Sequence, residues 1–210
     1  MSVSTSENSS IALLGGGSDY KIPRITLSIS GLVLLFTVSA LEIPSLLNLL
    51  SFNYEAILDR GEYWRLITGH LTHSSWDHLF WDWITFTAAG CYLEYHSRKI
   101  LLTGLLVCTS ALNLFLLSPL SDIAAYTGIS GTVYTLITLT AFLWARLNKQ
   151  RYGQLIAYLP LVLIVGKTAL ELLSGTAVFM NDGWQVYYPA HLVGLFTAFV
   201  IYFSMRPGKD

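Results

Sequence analysis

Long apolar segments constrain this chain more than any other feature of its sequence. A helix needs roughly 20 mostly apolar residues to cross the hydrocarbon core of a bilayer. Six segments approach that length: residues 26–48, 74–95, 99–118, 129–146, 154–174 and 188–205. Hydrophobic residues make up 53% of the chain and charged residues only 12%, a balance outside the soluble average. The sequence therefore predicts an all-α membrane protein with six transmembrane helices.

The remaining residues leave no room for a separate soluble domain. Residues 1–24, rich in Ser and Gly and without the pattern of a cleaved signal peptide, predict a flexible tail. Residues 25–205 form the predicted helical domain, and residues 206–210 a second short tail. The longest connection, residues 51–72, mixes Trp, Tyr and charges, which is typical of a segment at the membrane interface.

The basic residues indicate how the helices cross the membrane. Of the twelve Lys and Arg residues, nine fall on one side if both termini are cytoplasmic. They are Lys21, Arg24, Arg98, Lys99, Arg146, Lys149, Arg151, Arg206 and Lys209. This asymmetry predicts an N-in, C-in topology, with residues 51–72 outside.

Charge and cysteine usage exclude several classes of function. The net charge of −1 and the absence of a basic patch argue against a nucleic-acid partner. Cys91 and Cys108 lie inside apolar runs without metal-ligand spacing, which indicates packing residues. We therefore expect no metal and no cofactor, and the bilayer as the surrounding medium.

Reactive side chains from three predicted helices fall at the same depth. Ser130, in "YTGISGTVY", lies in the first turn of the fourth helix at its external end. His78 and Asp82 lie near the external end of the second helix, and His191 near that of the sixth. Ionisable groups at membrane depth are costly unless they are paired or hydrated, so they indicate a functional site.

These residue types suit nucleophilic catalysis. A serine hydroxyl needs a base to take its proton, and a neutral histidine is the usual base near pH 7, which makes Ser130 and His191 a candidate pair. The free N–H groups at the start of the fourth helix can stabilise an oxyanion. Gly128 and Gly131 leave room for a substrate or a neighbouring helix to approach.

Helix packing can bring the pair together. Tyr134 shares a helical face with Ser130 and is expected to stack on His191. The sixth helix has a stripe of mostly small side chains, which allows it to approach the fourth helix closely. The stripe consists of His191, Gly194 and Ala198. Two simpler interpretations stay open: the Gly-rich motif can serve packing alone, and His191 can bond a backbone carbonyl.

These motifs resemble those of the rhomboid intramembrane serine proteases. The serine motif is matched by "GISG" with Tyr134, the sixth-helix histidine by "AHLVG", and the second-helix histidine by His78 in "HSSWDHLF". The resemblance implies a six-helix core, a Ser130/His191 dyad, His78 as an oxyanion donor, no metal, and cleavage of transmembrane or near-membrane protein segments. It also implies an integral protein of the bacterial inner membrane with its site near the external face.

Within that superfamily the chain most resembles the rhombosortase branch, through "GEYWRLITGHLTH" and "GKTALELL". That branch implies processing of proteins that carry a C-terminal Gly-Gly sorting tail. Other functions that fit the sequence are a rhomboid-like protein that binds membrane helices without cutting them, and a small transporter.

Two features need a structural explanation. Asp82 stands where rhomboids usually carry an asparagine, and Ala198 replaces the second glycine of the sixth-helix pattern. Asp82 can help an oxyanion only if it is protonated and donates a hydrogen bond. Lys167 and Glu171, four apart on the fifth helix, either neutralise each other or contact a substrate tail or Asp82.

Overall fold

The computed structural model describes residues 22–175, 178 and 187–205. The predicted tail over residues 206–210 and nearly all of the one over residues 1–24 lie outside these residues. The described part of the chain is helical apart from two short strands. The helices are α1 (Arg24–Glu42), α2 (Pro44–Leu50), α3 (Tyr54–Arg60), α4 (Arg65–Leu71), α5 (Trp76–Leu116), α6 (Ser130–Leu147), α7 (Arg151–Ala157), α8 (Leu159–Ser174) and α9 (Tyr188–Ser204), and the strands are β1 (Phe52–Asn53) and β2 (Ala125–Tyr126).

Three helical stretches are long and apolar enough to cross a membrane. They are Arg24–Glu42, Trp76–Leu116 and Arg151–Ser174, while Tyr188–Ser204 is a shorter apolar helix. The second stretch has 41 residues, roughly twice the length that a bilayer requires. Its helical geometry breaks at Ser97, where φ is −157° and ψ is 93°. The break falls between the predicted segments 74–95 and 99–118.

Prolines subdivide two other predicted segments. Segment 26–48 corresponds to α1 and α2, which separate at Ile43 because the residue before Pro44 is driven into an extended conformation. Segment 154–174 corresponds to α7 and α8, which meet at Tyr158. Pro160 lacks the N–H that would continue the helical hydrogen-bond ladder there.

The segment between α2 and α5 is folded rather than extended. Strand β1 pairs antiparallel with β2, and Phe52 lies opposite Tyr126. The Arg65 side chain is buried and donates hydrogen bonds to the backbone oxygens of Asn48 and Ser51, at 2.6 and 2.7 Å. Hydrogen bonds from Arg60 and Arg65 lower the pKa of Glu62, which keeps this carboxylate charged as their partner. These bonds fix the position of β1.

A buried carboxylate ties the first helix to the fifth. Glu94 accepts hydrogen bonds from the N–H groups of Ile25 and Thr26 and from the Thr26 hydroxyl, at 2.8–3.1 Å. The first N–H groups of a helix have no intrahelical acceptor, so Glu94 satisfies the start of α1. The negative charge is also favourable at the positive end of the α1 dipole.

Helix α6 is the centre of the bundle. Eleven of its residues from Gly131 to Phe142 are buried, and it packs against α5 and α9. Gly194 of α9 lies directly against α6, since a Cβ atom added there would be 2.1 Å from the Gly131 carbonyl oxygen. Ala198, one turn further along α9, is fully buried in the same core. The small side chains therefore allow the close contact that the sequence predicts.

Substituting Gly194 should separate these two helices. We expect Gly194→Ala to destabilise the protein by about 1–3 kcal/mol, because overpacking displaces backbone atoms that have no room to move. Thermal unfolding in detergent micelles measures the change. Gly31→Ala in α1 is the matched control, since a Cβ there meets nothing within 4 Å. Equal unfolding temperatures for Gly194→Ala and wild type would contradict this packing.

Candidate active site

A cavity of about 790 Å³ lies beside the start of α6. Its walls bring together most of the polar residues that the sequence singles out. They are Ser130, Tyr134, His191, His78, Asp82, Lys167 and Glu171. These residues come from α5, α6, α8 and α9, so the cavity depends on the packing of four helices.

Ser130 is the first residue of α6 and follows a tight loop. Gly128 has a φ of +116°, a conformation that side chains other than glycine rarely adopt. Its N–H donates to the Gly69 carbonyl oxygen at 3.0 Å, which attaches the loop to α4. The first N–H groups of α6 have no intrahelical acceptor and lie next to the Ser130 side chain. This arrangement presents a hydroxyl and backbone donors to the same cavity.

Gly131 holds the start of α6 against its neighbours. A Cβ atom at this position would lie 2.7 Å from Leu112 Cδ1 and 2.9 Å from the Ala190 carbonyl oxygen. The contact with Ala190 brings the backbone beside Ser130 to the residue that precedes His191. Gly131 is therefore a packing residue at the point where the serine and the histidine approach each other.

His191 is buried and held flat against Tyr134. The two rings stack with centroids 4.1 Å apart and an interplanar angle of 6°, the contact that the sequence predicts. The Tyr134 hydroxyl is anchored in turn by Thr168 Oγ1 of α8 at 2.8 Å. His191 Nδ1 has no hydrogen-bond partner among the described residues. No hydrogen bond joins Ser130 to His191 among the described residues, although both line the cavity.

Asp82 lies between two imidazole rings. Its Oδ2 atom is 3.2 Å from His73 Nε2 and 3.3 Å from His78 Nε2. His73 Nδ1 lies 3.1 Å from the Thr37 hydroxyl of α1. Burial lowers the pKa of His73, which favours a neutral ring. The Thr37 hydroxyl also donates to the Leu71 carbonyl oxygen at 3.2 Å.

These contacts favour an acceptor role for Asp82. The sequence predicts a protonated side chain that donates toward an oxyanion, whereas Oδ2 here faces the Nε2 atoms of two imidazole rings. The His78 ring is held between Asp82 and the serine loop, because a Cβ atom on Gly128 would lie 2.9 Å from His78 Nε2. Asp82 therefore fixes the orientation of His78 beside that loop.

His73, His78 and Asp82 are also the described side chains that could hold a metal ion. Their nearest ligand atoms lie within 4.8 Å of one another. The hydrogen bonds among them account for the arrangement without an ion. The sequence analysis did not include His73 and Thr37 in the site. The spacing of His73 from His78 and Asp82 could have indicated a contact, because α5 begins shortly after His73.

Lys167 and Glu171 form an ion pair on the cavity wall. Glu171 is buried, and its Oε1 atom also accepts the N–H of Val178 at 3.1 Å. Its Oε2 atom has no hydrogen-bond partner among the described residues. The mutual neutralisation that the sequence allows is thus present, and the pair remains next to the space that a substrate would occupy.

Removing Asp82 should release both histidines. We expect Asp82→Ala to lower the free energy of unfolding by about 1–3 kcal/mol, because it leaves the fully buried His73 Nε2 without its hydrogen-bond partner. Asp82→Asn keeps an acceptor oxygen and should lose less stability and less activity. Chemical or thermal unfolding in detergent measures stability, with Asp59→Ala, an exposed carboxylate, as the control. An Asp82→Ala protein as stable as wild type would show that the contacts contribute nothing.

A comparison with known families identifies the domain that contains these residues. The profile described as the Rhomboid domain matches residues 60–208, which is more than half of the chain. No curated protein matches the chain. The matched region contains the cavity, Ser130, His191 and the paired histidines of α5 and its preceding loop. The chain is therefore an integral membrane protein of the rhomboid family, whose members are typically serine intramembrane proteases.

Proposed function

We propose that this protein is an intramembrane serine endopeptidase in which Ser130 is the nucleophile and His191 the general base. The observation that carries the proposal is the contact between α6 and α9, where Gly131 and Gly194 bring the first turn of one helix against the histidine of the other. Both side chains face the same cavity. Family membership supports this reaction class.

The membrane arrangement is part of the proposal. Six spans follow if α5 contributes two, on either side of Ser97, and if α7 and α8 form one. The distribution of Lys and Arg supports cytoplasmic termini and a site near the external face of the bacterial inner membrane. The folded segment between α2 and α5 then lies at the external interface.

The reaction proceeds through an acyl-enzyme. Ser130 Oγ attacks the scissile carbonyl carbon while His191 accepts the hydroxyl proton. The carbonyl oxygen becomes an oxyanion, and collapse of the tetrahedral intermediate breaks the C–N bond as His191 returns the proton to the leaving amine. Water then attacks the ester with His191 again as base, which releases the carboxylic acid and restores Ser130.

The oxyanion is stabilised by groups that are fixed before the substrate binds. The free N–H groups at the start of α6 are backbone donors beside Ser130. The His78 ring lies between Asp82 and Gly128 of the serine loop. As an imidazolium paired with the Asp82 carboxylate it has an N–H on each ring nitrogen, so one can donate to the oxyanion while the other faces Asp82. A preorganised donor needs little rearrangement during the reaction, which is why such groups contribute strongly to the rate.

The substrate is a transmembrane or near-membrane protein segment. The cavity combines apolar walls, suited to a membrane segment, with the Lys167–Glu171 pair. The resemblance to rhombosortases supports a C-terminal Gly-Gly sorting tail as the substrate class.

Replacing either member of the proposed pair should abolish cleavage. We expect Ser130→Ala and His191→Ala each to eliminate turnover of a transmembrane substrate, because the two residues act as one catalytic unit. A gel assay in detergent or proteoliposomes measures cleavage, and thermal unfolding confirms that each variant is folded. Ser204→Ala and His96→Ala, which alter residues with only local helical hydrogen bonds, are the matched controls.

A covalent probe separates the proposed protease from a helix-binding protein or a transporter. A fluorophosphonate should label wild-type protein at Ser130, located by mass spectrometry, and should fail to label Ser130→Ala. Turnover by either the serine or the histidine variant at nearly the wild-type rate would refute the assignment. A folded wild-type protein that neither labels nor cleaves would favour the non-catalytic function.

His78 provides a separate test of oxyanion stabilisation. We expect His78→Ala to lower kcat by about 10- to 1000-fold, the range for one lost donor, with a small change in KM. Single-turnover kinetics with a quenched fluorescent membrane peptide measure the change. An unaltered kcat in a correctly folded variant would remove His78 from the site.

A further inference from the structure

Tyr126 has a buried hydroxyl group that the proposed mechanism does not yet use. It lies in β2, four residues before Ser130, and its side chain is only 6% exposed. Its hydroxyl oxygen has no hydrogen-bond partner among the described residues. Tyr126 and Ser130 line the same cavity. A buried donor without a partner is unfavourable in a folded protein, so its retention here calls for an explanation.

The Tyr126 ring is held in a fixed position from three sides. Its backbone pairs with Phe52 of β1. His70 and Tyr187 make edge contacts with the ring at centroid distances of 5.7 and 6.4 Å. His70 is itself anchored, since its Nε2 lies 3.0 Å from Asn113 Oδ1 on α5. The hydroxyl is therefore presented by a rigid support, as an oxyanion donor requires.

The Tyr126 hydroxyl lies close to the reacting groups. It is close enough to the Ser130 side chain and the Gly131 backbone to interact with them, although neither makes a hydrogen bond with it. Burial raises the pKa of Tyr126, so the phenol keeps its proton at neutral pH and remains a hydrogen-bond donor. Tyrosine hydroxyls are among the side-chain donors that can stabilise an oxyanion.

The role of Asp82 leaves a need for such a donor. Its Oδ2 atom already faces the Nε2 atoms of His73 and His78, so it is engaged by these rings instead of pointing at the oxyanion position. We propose that Tyr126 is a further catalytic residue, whose hydroxyl donates a hydrogen bond to the oxyanion formed when Ser130 attacks the substrate. The inference rests on the proposed protease function. No proton is transferred in this step, because the phenol remains neutral throughout.

Tyr126→Phe tests the proposal because it removes the hydroxyl and keeps the ring. We expect kcat to fall by roughly 100-fold with KM nearly unchanged, the effect of losing one oxyanion donor. The rate of fluorophosphonate labelling at Ser130 should fall in parallel, since the phosphoryl oxygen occupies the same position. The unfolding temperature should stay the same or rise, because the hydroxyl that is removed makes no bond in the free enzyme.

Tyr95→Phe is the matched control. Tyr95 is 60% exposed and does not line the cavity, so its hydroxyl has no contact with the proposed site. We expect this variant to keep wild-type kcat and labelling rate. Rates for all variants are divided by the folded fraction, taken from the unfolding amplitude, so that partial misfolding does not imitate a catalytic defect.

The possible outcomes separate this inference from the function on which it depends. If the wild-type protein is labelled and the Tyr126→Phe variant is labelled and turns over at the same rates, the role of Tyr126 is overturned and the protease proposal stays intact. A rise in KM without a change in kcat would also overturn it. A loss of activity that follows a lower unfolding temperature would do the same, because it would show a structural role. A folded wild-type protein without labelling or cleavage would overturn both proposals.

Discussion

The contact between Gly131 and Gly194 is the constraint on which the arrangement of this protein depends. A Cβ atom at Gly194 would overlap the Gly131 carbonyl oxygen, so α6 and α9 approach as closely as their backbones permit. In a lipid environment, helices gain little from burying apolar surface against each other, and close backbone packing supplies much of their attraction. The same contact sets the separation of Ser130 and His191. Stability and the geometry of the proposed reaction thus depend on one pair of glycines.

Polar groups within the bundle are placed where other polar groups can satisfy them. Glu94 accepts the free N–H groups of α1, and Asp82 lies between His73 and His78. Among the described residues, the buried polar atoms that have no hydrogen-bond partner include His191 Nδ1 and the Tyr126 hydroxyl, and both belong to residues that line the cavity. Leaving donors and acceptors unpaired at this location is consistent with a site whose partners are supplied by a substrate.

The sequence predicted the features of the site that depend on local spacing. Ser130 and Tyr134 are one helical turn apart, so their shared face, and with it the stacking on His191, followed from periodicity and motif order. The resemblance to rhomboids also predicted the family that the domain comparison identifies. Apolar length predicted where most helices lie, although the break at Ser97 occurs within a continuous helical run rather than in a loop.

Long-range contacts were beyond sequence reasoning. The pairing of Phe52 with Tyr126 joins two short strands whose length gives no periodic signal, and it is this pairing that fixes the Tyr126 ring. The roles of His73 and Asp82 likewise depend on how the loop before α5 folds against that helix and α1. From the sequence, Asp82 in place of the usual asparagine predicted a hydrogen-bond donor to the oxyanion. Only the positions of the His73 and His78 rings indicate that Asp82 is a hydrogen-bond acceptor.

The pairing of β1 with β2 has a consequence for the biosynthesis of the protein. Loop closure between residues that are distant in the chain is slow, because its entropic cost precedes the contacts that repay it. The loop that carries Ser130 obtains its attachments from β1 and from Gly69, both encoded before α5. His191 is encoded later still, near the end of the matched domain. A growing chain that has not yet reached α9 therefore lacks the histidine of the proposed pair, so the proposed site is assembled only at the end of synthesis and folding.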